Sequence, residues 1–103
     1  MDVTFQEREL RDLCASADLC KQKYGSEATR DLFALVSDIE SSRSVAELKV
    51  IHDILFEGDS LSVSLSANLV ARFISASAGG GGQADEPTNW SNVRRLRLVS
   101  LEQ

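Results

Sequence analysis

Near residue 51 the spacing of the apolar side chains changes from every third or fourth residue to every second, and this switch limits the folds open to the chain. A repeat near 3.6 lays apolar groups along one face of a helix, whereas a repeat of two lays them on one face of a strand. Helical segments are therefore expected before the switch and strands after it. A short alternating stretch, Asp2 to Phe5, adds a strand at the start.

From Glu7 to Tyr24 the residues Leu10, Leu13, Cys14, Ala17, Cys20 and Tyr24 fall on one helical face, and Gly25 ends the pattern. Ser26 is placed to cap a second helix, whose inward stripe is Ala28, Leu32, Leu35 and Ile39 with Phe33 and Val36 beside it. Ser41-Ser42-Arg43 interrupts this, and Ser44-Val45-Ala46-Glu47 has the spacing of a capping box, which predicts a short helical turn.

Ile51 to Phe56 then reads as a strand, Glu57-Gly58-Asp59-Ser60 as a turn, and Leu61, Val63 and Leu65 as the buried side of the next strand. Ala67-Asn68 turns the chain into a strand over Leu69–Ser75. Ser77 to Gln83, with its four glycines, reads as a loop. Those glycines precede no Lys-Ser or Lys-Thr and lead from no strand into a helix, so they do not make a phosphate-binding loop. A last strand, Val93 to Leu101, places Leu96 and Leu98 on one face and Val93, Arg95, Arg97, Val99 and Leu101 on the other.

The order β-α-α-β-β-β-β predicts an α+β fold: an N-terminal strand and helical hairpin packed on one face of a mainly antiparallel four- to five-stranded sheet. A chain of 103 residues with 43% hydrophobic and 26% charged residues suits one folded domain, here 1–103. No apolar run nears the ~20 residues of a membrane span, and the N-terminal residues lack a signal-peptide layout, so a cytoplasmic protein is expected. Cys14 and Cys20, six apart on a helix, point about 120° apart and read as buried thiols.

The net charge of −5 argues against a broad basic surface for nucleic acid. The charge is nevertheless uneven. Residues 1–59 hold thirteen acids and seven bases, whereas residues 60–103 hold three acids and four bases, so an anionic ligand is expected at the C-terminal half. The single histidine excludes a multi-histidine metal site or a two-histidine mechanism, and no motif calls for a cofactor.

Several local sequences, in order, resemble the RelE/ParE superfamily, and within it the HigB-like "killer protein" branch. They are Asp2-Val3-Thr4-Phe5 before a Leu10…Leu13-Cys14 helix, Val45-Ala46-Glu47-Leu48, and His52 upstream of Glu57-Gly58-Asp59. The alternating Leu61–Leu65 strand and Asn89-Trp90-Ser91-Asn92-Val93 leading into Leu96-Arg97-Leu98 complete the match. The resemblance spans nearly the whole chain. It implies a RelE-like fold and the toxin of a type II toxin–antitoxin system: a metal-independent mRNA endoribonuclease acting at the ribosome and neutralised by a cognate antitoxin, expected to be of helix-turn-helix type. The same resemblance leaves open a non-catalytic partner of such an antitoxin, or a ParE-like topoisomerase inhibitor.

Cleavage by a ribose 2′-hydroxyl needs a base, an acid and cations for the charge on the phosphoryl oxygens. The resemblance assigns the cation on the fourth strand to Arg72, while a gapless pairing would put Val70 there. His52 stands near the family's site-forming turn and can serve as acid or base, or simply be a strand histidine. Arg72 can hold a phosphate or pair with an acid of the helical hairpin. Arg94, Arg95 and Arg97 form a basic cluster suited to RNA or to an acidic antitoxin segment, or to solvent alone. Two departures stand out. Family members commonly carry Lys-Gly-Asp-Arg where this chain has Glu57-Gly58-Asp59-Ser60, and the 103 residues reach Leu101-Glu102-Gln103, short of the family's Asp-Tyr-His.

Overall fold

A computed structural model describes residues 1–76, 90 and 93–103, so the expected loop over Ser77–Gln83 lies outside the described residues. The elements are β1 (Asp2–Phe5), α1 (Arg8–Ala15), α2 (Ala17–Tyr24), α3 (Ser26–Ser41), α4 (Val45–Ile51), β2 (Ile54–Glu57), β3 (Ser60–Ser64), a 3-10 turn (Ser66–Asn68), β4 (Val70–Ser75) and β5 (Arg95–Glu102). The five strands form one mixed sheet in the order β1-β5-β4-β3-β2. Only β1 and β5 run parallel; the other neighbours are antiparallel.

The period-two pattern sends alternate strand residues to one side. Leu61, Val63, Ala71, Phe73, Leu96 and Leu98 meet Leu10, Leu35, Ile39, Val45 and Leu48 of the helices in one buried cluster. No described helix packs on the other side of the sheet. The fold is thus α+β with helices on one face, as the order of periodicities predicts. Among the described residues no helix is long and apolar enough to cross a membrane.

Four local expectations are corrected. The predicted helix Glu7–Tyr24 is two helices, because Ser16 takes an extended conformation (φ −123°, ψ 110°) and its hydroxyl accepts the Leu19 N–H at 3.3 Å. A serine competes with helical hydrogen bonding and does better as a cap. Ser26 is the first residue of α3 rather than its cap; Gly25, at φ +91°, precedes the helix and accepts from Thr29 through both its N–H and its hydroxyl. The strand expected from Ile51 begins at Ile54, because α4 runs on through Ile51.

The fourth correction is in β5. Leu98 pairs with Phe73 and Ser100 with Arg72, so Val99 is an extra residue, a β-bulge. The bulge resets the alternation and puts Leu101 opposite buried Ala71, on the core side. Val93, just before the strand, is also in the core. Of the five residues expected together, these two leave the arginine face.

The predicted turns form. Gly58, at φ +60°, is the first of two central residues between paired Glu57 and Ser60, as a two-residue II′ hairpin requires. Ser44 accepts the Glu47 N–H at 3.4 Å, while the Glu47 carboxylate takes the N–H of Arg43 rather than of Ser44. Phe73 lies fully buried on β4, so Phe73→Ala is expected to cost about 3–5 kcal/mol in urea unfolding. Val50→Ala, at a side chain 86% exposed, should stay within about 0.5 kcal/mol of the parent.

Candidate functional site on the helix-free sheet face

The side of the sheet away from the helices carries the strand residues that the core excludes. Directly paired residues on neighbouring strands point to the same side, so the register gives rows across this face. One row is Leu55, Ser62, Arg72 and Ser100; the next is Glu57, Ser60, Ile74, Arg97 and Thr4. Arg95 follows, paired in register with Asp2.

Three arginines thus share this face. Arg95 forms an ion pair with Asp2 at 3.6 Å. Arg72 is partly buried at the middle of β4, and among the described residues neither it nor exposed Arg97 has a hydrogen-bond or ion-pair partner. An acid of the helical hairpin does not reach Arg72, since those helices lie behind the sheet. Val70, the alternative in a gapless pairing, is on the same face at the end of the strand, opposite Ser64 and Glu102. Arg94 precedes the strand and donates to the carbonyl of Val93 at 3.3 Å. The Thr4 hydroxyl, opposite Arg97, is the one buried side-chain polar atom without a partner among the described residues.

His52 is elsewhere. It follows α4 and holds Asp38 of α3 through Nε2 at 2.8 Å, with side chains 18% and 35% exposed. That contact belongs to the helical side of the sheet, so the fold does not bring His52 and Arg72 together. The only tryptophan, Trp90, packs at the core edge against Phe56 with ring centroids 5.5 Å apart.

The two thiols are free, Cys20 being fully buried and Cys14 partly so. Burial, reinforced by Cys20, pushes the Cys14 thiol up to about 12, so it stays protonated near neutral pH and is a poor nucleophile or metal ligand. Among the described residues no group of three or more His, Cys, Asp or Glu is placed to hold a metal ion.

Asp31 ties the helices to the entry of β4. Its carboxylate accepts from both the hydroxyl and the N–H of Ser66, the latter at 3.0 Å. Ala67 and Asn68 in the same turn take φ of 59° and 61°, a conformation that costs a residue with a Cβ and is held by such contacts. The Ser66 hydroxyl and N–H together lower the Asp31 pKa below its ordinary 3.8.

A depressed carboxylate pKa stabilises the fold above the unfolded value and loses that contribution as pH falls through the folded value. Asp31→Asn should therefore unfold at lower urea than the parent at pH 7, and the gap should close as pH falls below about 3.8 toward the lowered pKa. Compared with known proteins, the chain matches no family model, no curated protein and no solved structure.

Proposed function

We propose that this chain is a cytoplasmic toxin of the RelE/HigB type, with the RelE-like fold, a metal-independent endoribonuclease that cleaves mRNA at the ribosome and is neutralised by a helix-turn-helix antitoxin. The observation that carries the reading is Arg72: a guanidinium at mid-sheet, on the helix-free face, without a counter-ion among the described residues. Such a group is available to a phosphoryl oxygen, where charge builds when a ribose 2′-hydroxyl attacks. The ordered local resemblances set out above, from Asp2 to Leu98, supply the family. The charge distribution agrees, since four of the chain's eleven bases lie in residues 60–103 against three acids.

A second reading rests on His52. With its imidazole engaged by Asp38 behind the sheet, no described imidazole stands beside Arg72 to move a proton. The arginine face would then serve as a binding surface for the antitoxin, in a partner without catalytic activity.

Induced expression in a bacterial host separates these, with growth followed, transcripts mapped for new 5′ ends, and Arg72→Ala as control. The ribonuclease reading expects growth arrest and cuts that fall by about a hundredfold or more in the control. Normal growth with intact transcripts would establish the non-catalytic partner. Arrest with intact transcripts would move the target elsewhere, with topoisomerase-dependent DNA damage as the sign of a ParE-like inhibitor.

A further inference from the structure

Val50 and Ile51, side by side at the end of α4, are large apolar residues that the fold leaves 86% and 61% exposed. Glu47, three and four residues before them, shares their helical face. Asp38, Ser41 and Ser42 repeat the same spacing over the last turn and the cap of α3. The two faces line one open groove of about 340 Å³. That lies near the lower end of ligand pockets, about 300 Å³, and suits the side chains of a docked segment better than a whole cofactor.

The polar groups of this groove are of one kind. Among the described residues its charged lining is the carboxylates of Asp38 and Glu47, with no base. His52 holds one oxygen of Asp38 and the Arg43 N–H one oxygen of Glu47, which leaves the other oxygen of each. The Ser41 and Ser42 hydroxyls donate back to the carbonyls of Ser37 and Asp38, so toward the groove they can only accept. Nearby cations are turned to other contacts. The Met1 ammonium holds the carbonyls of Ile39 and Ser42, Lys49 stands 5.7 Å over the Phe56 ring, and Arg43 does not line the groove. The open groove between α1 and α2 differs, because Arg8 and Lys23 stand there beside Glu9 and Asp12, and Lys23 closes on Glu9 at 2.9 Å.

We infer that the groove between α3 and α4 docks a basic amphipathic helix of a partner protein. Apolar side chains spaced three and four apart on that helix rest on Val50 and Ile51, and a Lys or Arg beside them reaches Asp38 or Glu47. A cation rich in donors matches a lining that only accepts, and the opposite charges set the orientation and speed of docking. An acidic segment would bring like charges together, which excludes it. The groove belongs to the helical layer, on the other side of the sheet from Arg72, so its occupant leaves the arginine face open. The inference therefore holds whatever that face binds.

The test is selection from a phage-displayed library of helix-forming dodecapeptides against the full chain, followed by fluorescence anisotropy with the enriched peptides. Enriched sequences should carry apolar residues three or four apart with Lys or Arg beside them, and their binding should weaken as salt rises. Val50→Ser and Ile51→Ser should each weaken binding about tenfold, and Glu47→Gln about threefold or more. Val50 is exposed enough that its variant keeps the parental urea unfolding, so a loss of binding there is not a loss of fold. Leu19→Ser, in the groove between α1 and α2, should stay within about twofold of the parent. The inference is overturned if the selection yields no common pattern, if the enriched peptides lack basic residues, or if Val50→Ser binds them like the parent. A dimer of the chain alone in sedimentation, abolished by Val50→Ser, would also overturn it in favour of a second copy as the occupant.

Discussion

The packing of α3 and α4 against a single face of the sheet is the constraint from which the other features follow. Leu35 and Ile39 of α3 and Leu48 of α4 share one buried cluster with Leu61, Val63, Phe73, Leu96 and Leu98. Because strand side chains alternate strictly, occupying one face with apolar residues commits the intervening ones to the other. Arg72, between Ala71 and Phe73, and Arg97, between Leu96 and Leu98, are on the helix-free face for this reason. Their placement is a by-product of the core, and a one-residue slip of either strand would turn an arginine into it.

The bulge at Val99 modifies this rule at one point. It lets β5 keep Leu96 and Leu98 against the helices and then bring Leu101 back to them, opposite Ala71. The bulge has a local effect on packing and a local effect on chemistry. The core gains Leu101, and the neighbour of Arg72 becomes polar.

Polar contacts on the helical side have a positioning role. Asp31 fixes the strained Ala67-Asn68 turn that sets the start of β4, and His52 with Asp38 joins the end of α4 to α3 just before β2. The Met1 nitrogen donates to the carbonyls of Ile39 and Ser42, tying the start of β1 to the end of α3. Each contact spans a junction where the chain changes direction, and a partly buried polar pair there is costly to lose on one side only. The charged residues of the two faces thus serve different ends.

Much of this was legible in the residues. The change of period near residue 51, the α3 stripe of Ala28, Leu32, Leu35 and Ile39, the Gly58 hairpin and the Ala67-Asn68 turn all rest on local stereochemistry, which a sequence expresses directly. The alternation of the last strand likewise put Arg97 on the face opposite Leu96 and Leu98, whereas Arg72 was still open to an acid of the helical hairpin. Ser16 carried a signal too, that of a helix-capping residue inside an apolar stripe, but periodicity alone does not distinguish one helix from two in register. Only the tertiary structure decided that His52 belongs to Asp38 and that Arg72 has no partner among the described residues, because both depend on which elements meet across the sheet. It also decided the bulge at Val99. A bulge is set by how two strands distant in sequence settle against one core, and neither strand contains that information by itself.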